Sequence, residues 1–128
     1  MLITKGKMLF YGIGDMCEKL DTIIKTLNLE ALCFEIKLIM SEAINNAFVH
    51  GNKSDINKQI SVGWNLEDNL LRLEVTDCGS GFKDFKFCEE INEGNILCES
   101  GRGLYIIGCY TDEVNLVGST IIMKKYIL

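Results

Sequence analysis

Positive charge is scarce in this sequence. Thirteen Lys and Arg stand against eighteen Asp and Glu, a formal charge of −5, and the only arginines are Arg72 and Arg102. A nucleic-acid binder shows a basic patch; none is visible, so no direct nucleic-acid partner is expected. Long apolar runs are missing too. No stretch reaches the ~18–20 residues of a membrane span. The first ten residues carry Lys5 and Lys7 within their apolar stretch and lack a small-residue cleavage site, so no signal peptide is expected. A cytoplasmic chain with reduced thiols follows as the expectation. The six cysteines include no C-x-x-C and the closest lie ten apart, which argues against a zinc site. Cys33 sits in a helical apolar pattern and Cys109 follows one, and both read as small buried hydrophobes. His50 is the one histidine, so a histidine metal cluster or a Ser-His-Asp triad would rest wholly on it.

What is present describes one globular domain over residues 1–128, with 48% hydrophobic and 24% charged residues. A chain of this size buries about two-thirds of its extended surface and needs no staple. Residues 2–10 read as an edge strand. Gly12-Ile13-Gly14-Asp15 reads as a turn, with Asp15 capping a helix over 16–27 that Asn28 ends. A second helix spans 30–50, its apolar stripe running through Leu32, Ile36, Ile39, Ala43 and Ala47, with Gly51 and Asn52 as the stop. Alternation over 58–66 and 69–77 predicts a hairpin joined at Glu67-Asp68. Residues 78–100 are glycine-rich, acidic and aperiodic, the signature of a lid. A helix over 102–111 and strands over 113–117 and 120–127, joined at Gly118-Ser119, complete an α+β, two-layer domain. Its helices cover one face of a mixed, mostly antiparallel sheet.

Three stretches carry chemistry. On the second helix Glu42, Asn46 and His50 recur every four residues and stack along one face beside the apolar stripe. Such residues are most often a solvated polar face. As a site, the Asn46 amide oxygen is a hard ligand suited to Mg²⁺, and the Glu42 carboxylate is a base for a hydroxyl. Asp77-Cys78-Gly79-Ser80-Gly81 follows a strand; it is a simple turn or a place where glycines admit a ligand to the backbone. An ionised Asp77 accepts a hydrogen bond from an exocyclic amine and repels a keto oxygen, which selects adenine over guanine. Glu99-Ser100-Gly101-Arg102-Gly103-Leu104 opens a helix. It is a flexible helix start or a phosphate cradle of free backbone N–H groups, with Arg102 adding charge.

Taken together, these stretches resemble the ATP-binding fold shared by DNA gyrase, the ninety-kilodalton heat-shock chaperones, histidine kinases and the MutL mismatch-repair proteins (the GHKL, or Bergerat-type, fold). Glu42 to Ala47 matches its E-x-x-x-N-A box, Asp77 to Gly81 its D-x-G-x-G box, Gly101 to Leu104 its second glycine box, and Gly118-Ser119-Thr120 its late G-[ST]-T. The run Asn95 to Ile107, followed by Thr111-Asp112-Glu113-Val114, is similar to bacterial anti-sigma-factor serine-protein kinases, as is Ser41-Glu42-Ala43. The length suits a stand-alone member.

The resemblance implies an ATP- and Mg²⁺-dependent protein-serine kinase. It would phosphorylate a serine on an anti-anti-sigma protein and sequester a sigma factor, working as a homodimer. It implies that Glu42 activates the attacking hydroxyl and that Asn46 holds Mg²⁺. Asp77 would read the adenine amine with help from Thr120, and Gly79 and Gly81 would close on the nucleotide. Gly101, Arg102 and Gly103 would anchor the lid over the phosphates, with His50 and Leu104 also among the nucleotide-binding positions. The lid carries Asp84, Glu89, Glu90, Glu93 and Glu99, so phosphate charge must be met by Mg²⁺, Arg102 and backbone N–H groups. The alternative is a nucleotide-binding partner switch without significant kinase activity, which would not need Glu42.

Overall fold

The structure, a computed structural model, describes residues 4–79 and 99–127. Five strands form one sheet in the order β1-β2-β3-β5-β4: β1 Thr4–Phe10, β2 Ile60–Glu67, β3 Leu70–Thr76, β4 Glu113–Val117 and β5 Thr120–Tyr126. Every pairing is antiparallel, so the expected mixture of directions is replaced by a uniform sheet. β1 is an edge strand, as its position and two lysines predict.

Three α-helices lie among the described residues: α1 Met16–Leu27, α2 Cys33–Asn46 and α3 Glu99–Cys109. In α1 the buried residues Leu20, Ile23, Ile24 and Leu27 keep helical spacing. The helix ends where Asn28 turns left-handed at φ 59, with its N–H and that of Leu29 bonding back to Lys25 and Ile24. Asp15 precedes α1 but makes no side-chain cap; its carboxylate faces Lys19 at 3.4 Å instead. A short 3-10 turn, Glu30–Leu32, leads into α2, which buries Ile36, Ile39, Met40, Ala43 and Ile44. These residues meet Leu104 and Ile107 of α3 and the alternating inward positions of the sheet, among them Phe10, Ile60, Val62, Leu71, Leu73, Val75, Ile121 and Met123. One apolar layer therefore joins one face of the sheet to these three helices, and among the described residues the other face carries no helix.

Some boundaries move. The β2–β3 turn is Asp68-Asn69, both with positive φ (51° and 65°), one residue later than expected; two such residues match the right-handed twist of a hairpin. α3 begins at Glu99, earlier than its periodicity predicts. Cys33 is half-buried but Cys109 is exposed, because the inward face of α3 is taken by Leu104 and Ile107. The lid expected between β3 and α3 lies outside the described residues except for its first and last positions.

Candidate functional site

Two clusters meet around the C-terminal end of α2. The helix does not stop there. After Asn46 it widens into a π turn, Ala47–Gly51, closed by Asn52 N–H donating to the Ala47 carbonyl at 2.8 Å. Such widening is rare and is frequent at functional sites. Glu42 and Asn46, upstream of it, are half-buried and face Gly103 near the start of α3. A Cβ on Gly103 would lie 2.9 Å from Glu42 Oε2 and 3.2 Å from Asn46 Nδ2. A side chain there would displace the ends of the Glu42 and Asn46 side chains. Asn46 Nδ2 is buried with no hydrogen-bond partner. Among the described residues Trp64 Nε1 and Asn65 Oδ1 share that status; what sets Asn46 apart is that its amide lies beside the Glu42 carboxylate at Gly103.

The second cluster is the loop after β3. Asp77 N–H donates to Ser119 O at 3.1 Å, and Gly79 N–H donates to Asp77 Oδ1 at 2.6 Å. Ser119 Oγ donates to Gly79 O at 3.1 Å, and Cys78 N–H donates to Asn52 Oδ1 at 2.7 Å. The π turn presses on this loop directly. A Cβ on Gly51 would overlap the Asp77 carboxylate, and one on Gly79 would lie 2.5 Å from Gly51 O. Burial pushes the Asp77 carboxyl above the usual aspartate range, and the Gly79 N–H partly opposes that. The two clusters are joined by five residues of helical chain, about 7 Å at 1.5 Å per residue.

The profile of the histidine kinase-like ATPase domain matches residues 17–125. The chain belongs to this family. Among curated relatives, an anti-sigma F factor of Geobacillus kaustophilus is 34% identical over 100 residues, covering 73% of this chain and 68% of that protein. One from Shouchella clausii is 33% identical over 98 residues, covering 71% and 67%. A serine-protein kinase RsbW of Bacillus thuringiensis is 30% identical over 102 residues, covering 73% and 63%.

Within this ATPase domain the structure sorts the residues expected from sequence. Glu42, Asn46 and Gly103 come together, and so do Asp77 and Gly79. His50 lies on the π turn that follows Asn46 and is exposed. The Leu104 side chain is 3% exposed and packs in the core, which leaves its backbone for any ligand. Thr120 is a correction. Thr76 and Thr120 alternate with the core residues Val75 and Ile121, so they face the helix-free side, where their hydroxyls pair at 2.7 Å. Ser119, one residue earlier, supplies the hydroxyl that reaches the Asp77 loop. Gly81 and the side-chain roles of Gly101 and Arg102 fall outside the described residues. Sequence reasoning missed Gly51, Asn52 and Ser119. Gly51-Asn52 was legible only as a helix stop, which hid a second task. An open groove of about 560 Å³ around Gly63, bordered by Lys7 and Glu74, lies on the face that no described helix covers and reaches Thr76, the residue before Asp77.

Proposed function

We propose that the chain is an ATP-dependent protein-serine kinase and anti-sigma factor. It phosphorylates an anti-anti-sigma protein and, in its other engagement, sequesters a sigma factor. The observation that carries this reading is the meeting of the Glu42 carboxylate and the Asn46 amide at the start of α3. The names of the relatives support the same reading. Phosphoryl transfer asks a protein mainly for positioning and charge neutralisation, and the two clusters divide that work.

Asp77, ionised, accepts a hydrogen bond from the adenine amine, and Gly79 lets the backbone approach the base. Glu42 takes the proton from the attacking serine of the partner as its oxygen bonds to the γ-phosphorus. The bond from that phosphorus to the bridging oxygen breaks, and ADP leaves. The donor set fits Mg²⁺: the Asn46 amide oxygen is a hard ligand, and the described residues hold no group of three acidic, histidine or cysteine side chains that would cage a metal without phosphate. Bound there, the ion would neutralise phosphate charge. Gly81, Gly101, Arg102 and Gly103 complete the phosphate side in this reading. Among the described residues no helix is long and apolar enough to cross a membrane, and the proposed setting is the cytoplasm, with the chain acting as a homodimer.

The test has two stages. Mg·ATP at about 100-fold over its dissociation constant should stabilise the fold by about 2.7 kcal/mol, seen as a clear rise in melting temperature; no shift overturns the reading. Labelled γ-phosphate should then appear on a serine of the cognate antagonist. Binding without transfer would leave a nucleotide-gated partner switch.

A further inference from the structure

We infer that Asn52 is a positioning residue for base recognition, acting through Asp77; the inference rests on the ATP reading above. Asn52 is the one buried polar side chain among the described residues, at 0% exposure. Burying an amide is costly unless its polar atoms are bonded, and those of Asn52 are. Nδ2 donates to Lys58 O at 3.2 Å and Gln59 O at 3.1 Å. Oδ1 accepts from Cys78 N–H at 2.7 Å. One side chain thus ties together the end of the π turn, the approach to β2, and the peptide that follows Asp77.

Its neighbour Gly51 acts on the same residue from a second direction, since its Cα sits where a Cβ would strike the Asp77 carboxylate. Asp77 is therefore fixed at three points: its own N–H on Ser119, the next peptide N–H on Asn52, and its carboxylate between Gly51 and the Gly79 N–H. Of the three, only the Asn52 bond is accepted by a side chain from outside the loop. A recognition group must be held within about 0.5 Å of its productive geometry. Without Asn52 the Asp77 carboxylate keeps its charge and its Gly79 bond but loses its aim at an exocyclic amine. The same link makes the end of α2, which bears Glu42 and Asn46, mechanically continuous with the base-reading loop.

The experiment compares ATP with inosine triphosphate, which has a keto oxygen in place of the amine, by calorimetric titration of the intact chain and of Asn52→Ala. The intact chain should prefer ATP. Asn52→Ala should narrow that preference by about 10-fold through lost ATP affinity, leaving inosine triphosphate binding within about 3-fold. Amide exchange at Cys78 should speed up in the same variant. If both affinities fall in parallel, or neither changes, Asn52 is only a core residue and the inference is overturned. Should the alanine variant fail to fold, Asn52→Ser, whose hydroxyl is too short to reach Cys78, gives the same two outcomes. An intact chain that binds ATP without preferring it overturns the base-reading role of Asp77 and this inference with it. A preference retained by the variants overturns this inference alone.

Discussion

The two ends of the site are finished to different degrees. Around Asp77, the backbone N–H groups of Asp77, Cys78 and Gly79 and the Ser119 hydroxyl are all paired, and Gly51 and Gly79 leave no slack. Around Asn46 the opposite holds: a buried amide donor has no partner, and a carboxylate lies beside it across Gly103. The first end is organised by the protein alone. The second has its side chains gathered around Gly103. Under the proposed function these groups await phosphate, cation and an incoming hydroxyl, so that recognition is pre-set and catalysis is completed on binding.

The sharpest way to break this contrast is at Glu42. Glu42→Ala should lower the rate of phosphoryl transfer about 10²- to 10⁴-fold, the usual contribution of a positioned base, while Mg·ATP still raises the melting temperature. Loss of ATP binding in step with activity would show that the two ends are not separable. Next in size is Asp77→Asn, which exchanges a charge-assisted bond for a donor facing a donor. ATP affinity should drop about 10- to 100-fold, and titration calorimetry that finds equal affinities would remove Asp77 from base recognition. Gly103→Ala should displace the Glu42 and Asn46 side-chain ends and slow transfer about 10-fold, while the denaturation midpoint reports a stability change within about 1 kcal/mol, since alanine's helix propensity offsets the crowding. Unchanged transfer would mean that both side chains shift without loss.

The smallest effect is pH-dependent. Burial raises the folded-state pKa of Asp77 above its unfolded value, so its contribution to stability is full below the unfolded pKa and is lost as pH rises through the folded one. Ionised Asp77 is thus a cost to the unliganded fold. Asp77→Asn cannot ionise, and its melting temperature should decline less than that of the intact chain from about pH 3 to 7. A steeper decline in the variant would reverse the assigned sign.

Most of the architecture was legible because it depends on period and turn chemistry. The stripe on α2, the alternation in β2 and β3 and the Asn28 stop each express a local rule, and the core obeys them. The misses share a cause. Spacing by four presumes an unbroken α-helix, so the π turn after Asn46 could not be read from residue types. Thr120 was named from the G-[ST]-T resemblance; only the register with β3 shows that the Ser119 hydroxyl is the one that reaches the Asp77 loop. Asn52 looked like punctuation, since a polar residue after a glycine ordinarily ends a helix in solvent. Its burial depends on β2 and the Asp77 loop folding over it, contacts remote in sequence.

The strand order has a bearing on how the molecule comes into being. β5 is the last in chain order of the five described strands, yet it lies inside the sheet between β3 and β4. Until Thr120–Tyr126 leaves the ribosome, β3 presents an open edge flanked by apolar side chains, and β4 has no neighbour. Pairing over such sequence distances is slow, and exposed edges invite association with other nascent chains. A fragment stopping at Gly118 would therefore leave both β3 and β4 without the strand that joins them.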